Sequence, residues 1–422
     1  MIRTRLFDNP WWIVVGSTIG LIVGNGPVSL FSSGVFLKPV SGEFGWDRAT
    51  MTGAAGLSGL FSAVCVPIVG IMIDRWGIKR VMLPILALYG LSIAALSLTP
   101  ASVAVFTMLY VFMGIAGAGQ GPLPYVKSIS AWFDARRGLA LGIAMAGVGI
   151  GVFIVPQVVR VLIQNYGWRI AYMGLGALMF LVAFPSMALL VREPEEGFAR
   201  RRVRLAQAVD VVLPGLSVRE VLMGSRFWLL ALSVLCVSTV VNGLGVHIVP
   251  LLTDRGLSPA VATSMLGVFG LGTLGGRLLS GYLVDRFFAP YIAVVFFLLG
   301  AVGILITSGA GGAVPTFGIV LLGIAAGTEI DMLGYLSSRY FGLRHFGQLY
   351  GYIFAVFSAG AALGPYVLGV CFDRFHSYND ALFGYVGLLV LASGLIVSLG
   401  AYVFPVESNA DVRLTSAVRT PT

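Results

Sequence analysis

An arginine, two carboxylates and a histidine sit inside stretches of this chain that are otherwise almost wholly apolar. Arg277 follows Leu271-Gly-Thr-Leu-Gly-Gly276, Glu329 and Asp331 lie between Gly327 and Met332, and His247 precedes Ile248-Val249-Pro250. An ionisable group in such surroundings costs at least ~2.5–3.5 kcal/mol on membrane-insertion scales, so each is a functional candidate by default. A guanidinium can hold a carboxylate through two parallel hydrogen bonds, which lysine cannot do. Arg277 is therefore a candidate grip for an organic anion, with a snorkelling arginine or a permanent ion pair as the alternative. Glu329 and Asp331 are two residues apart, so on a helix they point to different sides and do different jobs. Either could pair with Arg277 when no anion is present and take up a proton when one arrives; a fixed helix-to-helix pair is the competing reading. His247, beside Pro250 and Asp254, is a candidate pH-sensitive gate or an interfacial residue.

Other polar side chains fall in similar stretches. Asn25, Gln120, Tyr125, Asn242 and Tyr335 could orient a carboxylate, and each could equally make an interhelical hydrogen bond. No nucleophile elbow or phosphate-binding loop accompanies them. The three histidines are scattered and the three cysteines lack metal-like spacing, so no catalytic residue, metal or cofactor is expected.

The elements that must carry these groups are membrane helices. Charged residues make up 11% of the chain and hydrophobic ones 58%, with a mean hydropathy of +0.94. Soluble domains carry about 25% charged residues. A span needs about 20 mostly apolar residues, which places spans near 12–37, 51–73, 81–99, 103–127, 138–163, 170–191, 227–252, 259–284, 290–309, 314–338, 347–371 and 381–404. The first is too long for a cleavable signal and reads as a span. The division expected is a six-helix bundle over 1–191, a cytoplasmic linker over 192–226, a second bundle over 227–404 and a tail over 405–422. Prolines 122, 124, 156 and 365 interrupt spans and predict kinks.

With both termini inside, 19 of the 27 basic residues fall on the cytoplasmic side and 6 outside. Lys and Arg collect in cytoplasmic loops, so the net charge of +9 reflects orientation. No basic stripe with interleaved aromatics is present, which excludes nucleic acid as a partner.

The two halves repeat. Gly70-Ile-Met-Ile-Asp74-Arg75 recurs as Gly281-Tyr-Leu-Val-Asp285-Arg286, an offset of 211 residues, half of the 422-residue chain. A fainter echo links Phe133-Asp-Ala-Arg136 to Phe341-Gly-Leu-Arg344. Paired halves facing a central site are a transporter architecture. The loop carboxylate can cap a neighbouring helix start while the basic residues stay in the cytoplasm, forming a charge latch.

This loop pattern resembles the signature of the major facilitator superfamily. Within it, the chain looks like the monocarboxylate transporter family and bacterial oxalate/formate-type organic-anion carriers. The resemblance rests on Val35-Phe-Leu-Lys38-Pro39 through Glu43-Phe-Gly-Trp46-Asp47-Arg48, on Trp132-Phe-Asp-Ala-Arg136-Arg137-Gly138 through Gly147, and on Gly276-Arg277 through Arg286. It implies an all-α membrane protein of twelve helices, monomeric, multi-pass in the cell inner membrane. It implies rocker-switch transport of a small monocarboxylate such as lactate or pyruvate, coupled to protons or to a counter-anion. It also implies that Arg277 binds the anion and that spans 1, 4, 7 and 10 line the cavity. Animal monocarboxylate transporters carry an aspartate one turn before that arginine, where this chain has Thr273. Proton coupling then falls to Glu329, Asp331 or His247, or is absent. An anion exchanger and a drug or metabolite exporter are the alternatives within transport; a membrane enzyme and a non-transporting receptor are those outside it.

The orientation is testable. A reporter that fluoresces only in the cytoplasm, fused after Thr422, should be bright, and one that is active only outside the membrane should be silent at the same position.

Overall fold

The computed structural model describes residues 9–133, 137–192, 215–284, 286–309, 315–342 and 344–404. Within these ranges the side chains of Asp74, Arg137, Gly138, Pro315, Asp331 and Gly347 lie outside the description. Among the described residues, twelve helices are long and apolar enough to cross a membrane. They are α1 (Trp11–Phe44), α2 (Arg48–Ile73), α3 (Ile78–Leu98), α4 (Val103–Trp132), α5 (Leu139–Tyr166) and α6 (Trp168–Leu189), then α7 (Ser225–Asp254), α8 (Pro259–Val284), α9 (Ala289–Gly309), α10 (Thr316–Phe341), α11 (Gln348–Phe375) and α12 (Asn379–Val397). Among the described residues there is no strand, only an isolated bridge between Gly215 and Gly342. After an even number of crossings the chain returns to the side it left, so the starts of α1 and α7 and the ends of α6 and α12 share one face, here called the linker face. The opposite face is the distal face.

The predicted spans match these helices, with two boundary corrections. The first helix runs to Phe44 rather than stopping near 37, because the charges that end the apolar run are matched on the folded molecule: Lys38 and Glu43 both lie on the helix and both pair. It closes at Gly45, whose φ of 69° lets its N–H reach the Ser41 carbonyl. The last helix ends at Val397, short of the predicted 404.

Breaks in α1 and α4 fall at prolines, whereas Pro156 and Pro365, also expected to interrupt spans, lie inside helices that run on through them. In α1, Pro27 sits in a π-helical segment, Gly26–Phe31, and the Ser32 hydroxyl donates to the Pro27 carbonyl at 2.7 Å. In α4, a 3-10 turn at Ala118–Gln120 leads into Gly121-Pro122 before the helix resumes at Leu123. Such single-turn irregularities satisfy the backbone locally and are frequent at functional sites.

Close approach of backbones holds the helices together. A Cβ at Gly276 of α8 would overlap the Ile324 carbonyl of α10, and one at Gly327 of α10 would meet the Thr273 carbonyl and the Arg277 amide. In hydrocarbon no hydrophobic force draws helices together, so small residues that permit such contact supply dispersion instead. Similar contacts join the first six helices to the last six. Gly56 of α2 lies against Ala362 of α11, Gly34 of α1 against Val246 of α7, and Gly149 of α5 against Gly270 of α8. Those of α1–α7 and α2–α11 sit in the distal half of the bundle.

Replacing Gly276 with valine forces α8 from α10, an overpacking cost of about 1–3 kcal/mol. The melting temperature of the purified protein should fall measurably; an unchanged melt would contradict the packing described.

Candidate functional site

The α8–α10 contact sets the surroundings of Arg277. The glycines and carbonyls of α10 that meet α8 fall at 320, 323, 324 and 327, which is one stripe of that helix. Asp331 is one turn beyond Gly327 on the same stripe, so its register places it on the side of α10 that meets the Arg277 segment. Glu329 lies on the opposite stripe with Gly318, Leu322 and Ala325, residues that pack on Gly303, Thr307 and Gly300 of α9. It is 8% exposed and its Oε1 has no hydrogen-bond partner among the described residues. The i, i+2 spacing thus separates the two positions on the helix, with Glu329 on the α9 side. Arg277 is half-buried, and its carbonyl accepts from the Ser280 hydroxyl at 3.0 Å. Thr273 turns its hydroxyl back to the Phe269 carbonyl at 2.9 Å.

The remaining candidates each have a hydrogen-bond partner within the bundle. Tyr125 is fully buried against Gly20 of α1 and donates to Gln120 Oε1 at 3.1 Å. Gln120, 1% exposed, turns its amide to the Met179 sulfur at 3.9 Å. Asn25 lies just before the π segment and accepts from the Tyr89 hydroxyl at 3.1 Å, which also contacts Ser29. Asn242 donates to the Ser238 carbonyl of its own helix at 2.9 Å. Tyr335 points toward the linker face, its hydroxyl 3.3 Å from the Val284 carbonyl. In this conformation Tyr125 and Gln120 are packing groups of the first six helices.

The repeated loop motif is only partly described. Gly70 packs on Leu123, while Arg75 is exposed. Arg286 donates to the Tyr282 carbonyl at 3.1 Å and stacks over that ring at 3.6 Å. Gly281 is exposed. Arg136, Asp285 and the side chains of Asp74 and Arg137 lie outside the described residues, so the latch expected from them does too.

Of the cluster that closes the distal face, sequence reasoning gave a role only to His247. Arg48, at the start of α2, donates to both oxygens of Asp254 at the end of α7, at 2.6 and 3.1 Å. Lys38 of α1 reaches the same carboxylate at 2.7 Å. The Asp373 carboxylate of α11 accepts the amides of Arg48 and Ala49 at 3.1 and 2.8 Å. It thereby caps the first turn of a helix from the other half, where a negative charge is favoured. Asp47 supplies the local cap, accepting from the Thr50 amide at 2.7 Å. Glu43 ties α1 to α6 through Trp168 and Arg169, both at 2.6 Å. The Lys38–Arg48 stretch that carried a family resemblance is therefore a set of distal clasps. The signal available in sequence was its density of charge next to a span.

His247 belongs to this cluster. It is fully buried, with Nδ1 3.0 Å from the Tyr378 hydroxyl and Nε2 3.0 Å from the Pro365 carbonyl. Arg48 also donates to the Tyr378 hydroxyl. Arginine has only donors, so the Tyr378 oxygen accepts from it and its own proton goes to Nδ1. The imidazole proton is then on Nε2, directed at Pro365. Burial, partly offset by the Arg48 guanidinium, pushes the Tyr378 phenol above its ordinary range, which keeps that proton in place.

Because Asp254 serves two cations, removing it should harm more than removing one of them. The melting temperature of Asp254→Ala should fall below that of Arg48→Ala, and adding Lys38→Ala to Asp254→Ala should recover part of the loss. Equal and additive losses would contradict a shared carboxylate.

Comparison with known proteins agrees with this architecture. A sequence profile of the Major Facilitator Superfamily matches residues 19–365. Human monocarboxylate transporter 11 is 27% identical, covering 94% of this chain and 83% of its own length. Bovine monocarboxylate transporter 13 is also 27% identical, over 93% of this chain and 90% of its own. An uncharacterised transporter of the superfamily from Bacillus subtilis, YcxA, is 24% identical over 81% of this chain and 84% of its own. Among solved structures, a bacterial homologue of the human lysosomal transporter Spinster, inward-facing and unoccupied, superposes with a TM-score of 0.71 at 17% identity, covering 93% of this chain and 97% of that one. A D-xylose–proton symporter gives 0.67 at 16% identity, over 91% and 96%. These likenesses at low identity concern the fold. With twelve membrane helices and a profile match across most of its length, this chain belongs to the major facilitator superfamily and is a multi-pass membrane transporter, not an enzyme.

Proposed function

We propose that this transporter is a secondary carrier of small organic monoanions, with Arg277 as the anion grip and Asp331 as the acid that competes for it. The observation that carries the reading is the α8–α10 contact at Gly327, which brings the Arg277 backbone onto the helix stripe that Asp331 occupies one turn away. A guanidinium shared between a fixed carboxylate and an arriving one exchanges partners without ever being left bare in a low-dielectric site. Protonation of Asp331 would release Arg277 to the substrate, which couples uptake to a proton. Glu329, on the α9 side, is a buried acid outside that exchange. Helices 1–6 and 7–12 act as the two rocking units, with the termini and linker in the cytoplasm and the inner membrane as the site. The monocarboxylate transporters among the relatives support a monocarboxylate substrate.

A second reading, exchange of one anion for another, draws support from Thr273. Its hydroxyl is committed to Phe269, and it offers no titratable group one turn before the arginine.

The test is uptake of labelled mono- and dicarboxylates into proteoliposomes, with and without an inward proton gradient. For the accepted acid, Arg277→Ala should cut uptake by tenfold or more and Arg277→Lys should restore little of it, since a lysine cannot make the paired hydrogen bonds. Asp331→Asn should abolish the response to the gradient while leaving counterflow, and Glu329→Gln should stay within about twofold of the parent, a difference worth only ~0.4 kcal/mol. Uptake that needs a trapped internal anion would establish exchange. No carboxylate uptake under any condition would overturn the anion reading.

A further inference from the structure

On the distal face a crevice of about 530 Å³, its solvent mouth included, opens between α1, α5, α7 and α8. Farther from the distal face, Gly34 lies against the Val246 carbonyl and the Phe153 ring packs on Gly267. Apolar side chains, among them Val35, Ile163 and Val249, make most of the wall. The threonines that line it do not offer donors to a guest. Thr253 bonds the carbonyls of Val249 and Pro250, and Thr263 bonds that of Pro259, all within their own helices.

Two cations stand at this apolar cleft, and they differ. Lys38 is matched by Asp254 at 2.7 Å. Arg160 is not matched by any acid among the described residues: it donates only to the amide oxygens of Gln157, at 3.4 Å, and Gln164, at 2.7 Å. A half-buried guanidinium with neutral partners beside an apolar cleft is complementary to one kind of guest, an anionic head on an apolar body. The enclosed part of the cleft is about 150 Å³, below the roughly 300–1,000 Å³ usual for drug-sized ligands, so it suits a slender guest.

We propose that this crevice is a second anion site, separate from Arg277, that takes an amphiphilic monoanion whose head group pairs with Arg160 and whose apolar body lies along Val35, Ile163 and Val249. Free carboxylic acids with a hydrocarbon tail and anionic bilayer lipids share that chemistry. Two walls come from the first six helices and two from the last six, so the guest binds the distal-closed arrangement and has no equivalent site once the helices part. By linkage it stabilises that arrangement in proportion to its differential affinity.

The probe is sodium octanoate, titrated against the full chain in phosphatidylcholine nanodiscs, with the melting temperature as readout and octanol as the uncharged control. The titration is repeated in the Arg277→Ala chain, so that any binding at the central position is separated. Octanoate should raise the melting temperature saturably in both chains, and octanol should not. Arg160→Gln should weaken octanoate at least tenfold. Ile163→Trp, which fills the cleft and keeps the charge, should abolish it and serves if the first variant is poorly folded. In phosphatidylglycerol nanodiscs the octanoate effect on the parent should persist if the guest is a free acid; if the lipid head group holds the site, that effect should fade, and phosphatidylglycerol itself should raise the melting temperature of the parent but not of Arg160→Gln. Octanoate stabilisation that is lost in Arg277→Ala alone, or that survives both Arg160→Gln and Ile163→Trp unchanged, would overturn the proposal.

Discussion

Hydrocarbon cannot hydrogen-bond, and most of this molecule follows from that. Backbone polar groups must be satisfied within each segment, which makes every span a helix and turns each proline into a local repair. The Ser32 hydroxyl on the Pro27 carbonyl is one such repair. Charges obey the same constraint. Lys38, Glu43, Arg48, Asp254 and Asp373 all lie at helix ends near the distal face, and each is matched by a partner on another helix. Three of these matches tie the first six helices to the last six.

Much of the architecture is written in the composition and periodicity of the chain. The twelve apolar runs and the repeat of Gly70–Arg75 at Gly281–Arg286 identify the helices and their family before any coordinate is seen. The helix ends were less legible, because an apolar count stops at Lys38 whereas the helix continues to Phe44 once that charge is paired. Partners far apart in sequence were not legible at all. Arg48 and Asp254 are 206 residues apart and meet only through the packing of α2 and α7.

The polar residues inside the spans show the same limit at closer range. Residue type marks Tyr125, Gln120 and Asn25 as candidates, but the fold spends the hydroxyl of Tyr125 on Gln120 and the oxygen of Asn25 on Tyr89. The spacing of Glu329 and Asp331 said that they diverge. Only the contacts of α10 put Glu329 on the α9 side, since helix phase needs a neighbour as its origin. Sequence supplied the relative angle and packing supplied the zero.

In the contacts of α1 with α7 and of α2 with α11, Gly34 and Gly56 let backbones meet, while Phe31 packs on Gly245 and Tyr366 on Gly53. Apolar contacts of that kind forfeit mainly dispersion when they separate. The ion pairs of Asp254 and the helix cap supplied by Asp373 sit apart from them, at one rim. The molecule thus has an apolar bearing and a charged catch in different places. Selection on the few catch residues can retune how long the protein dwells closed, without touching the bearing or the groups that would meet a substrate.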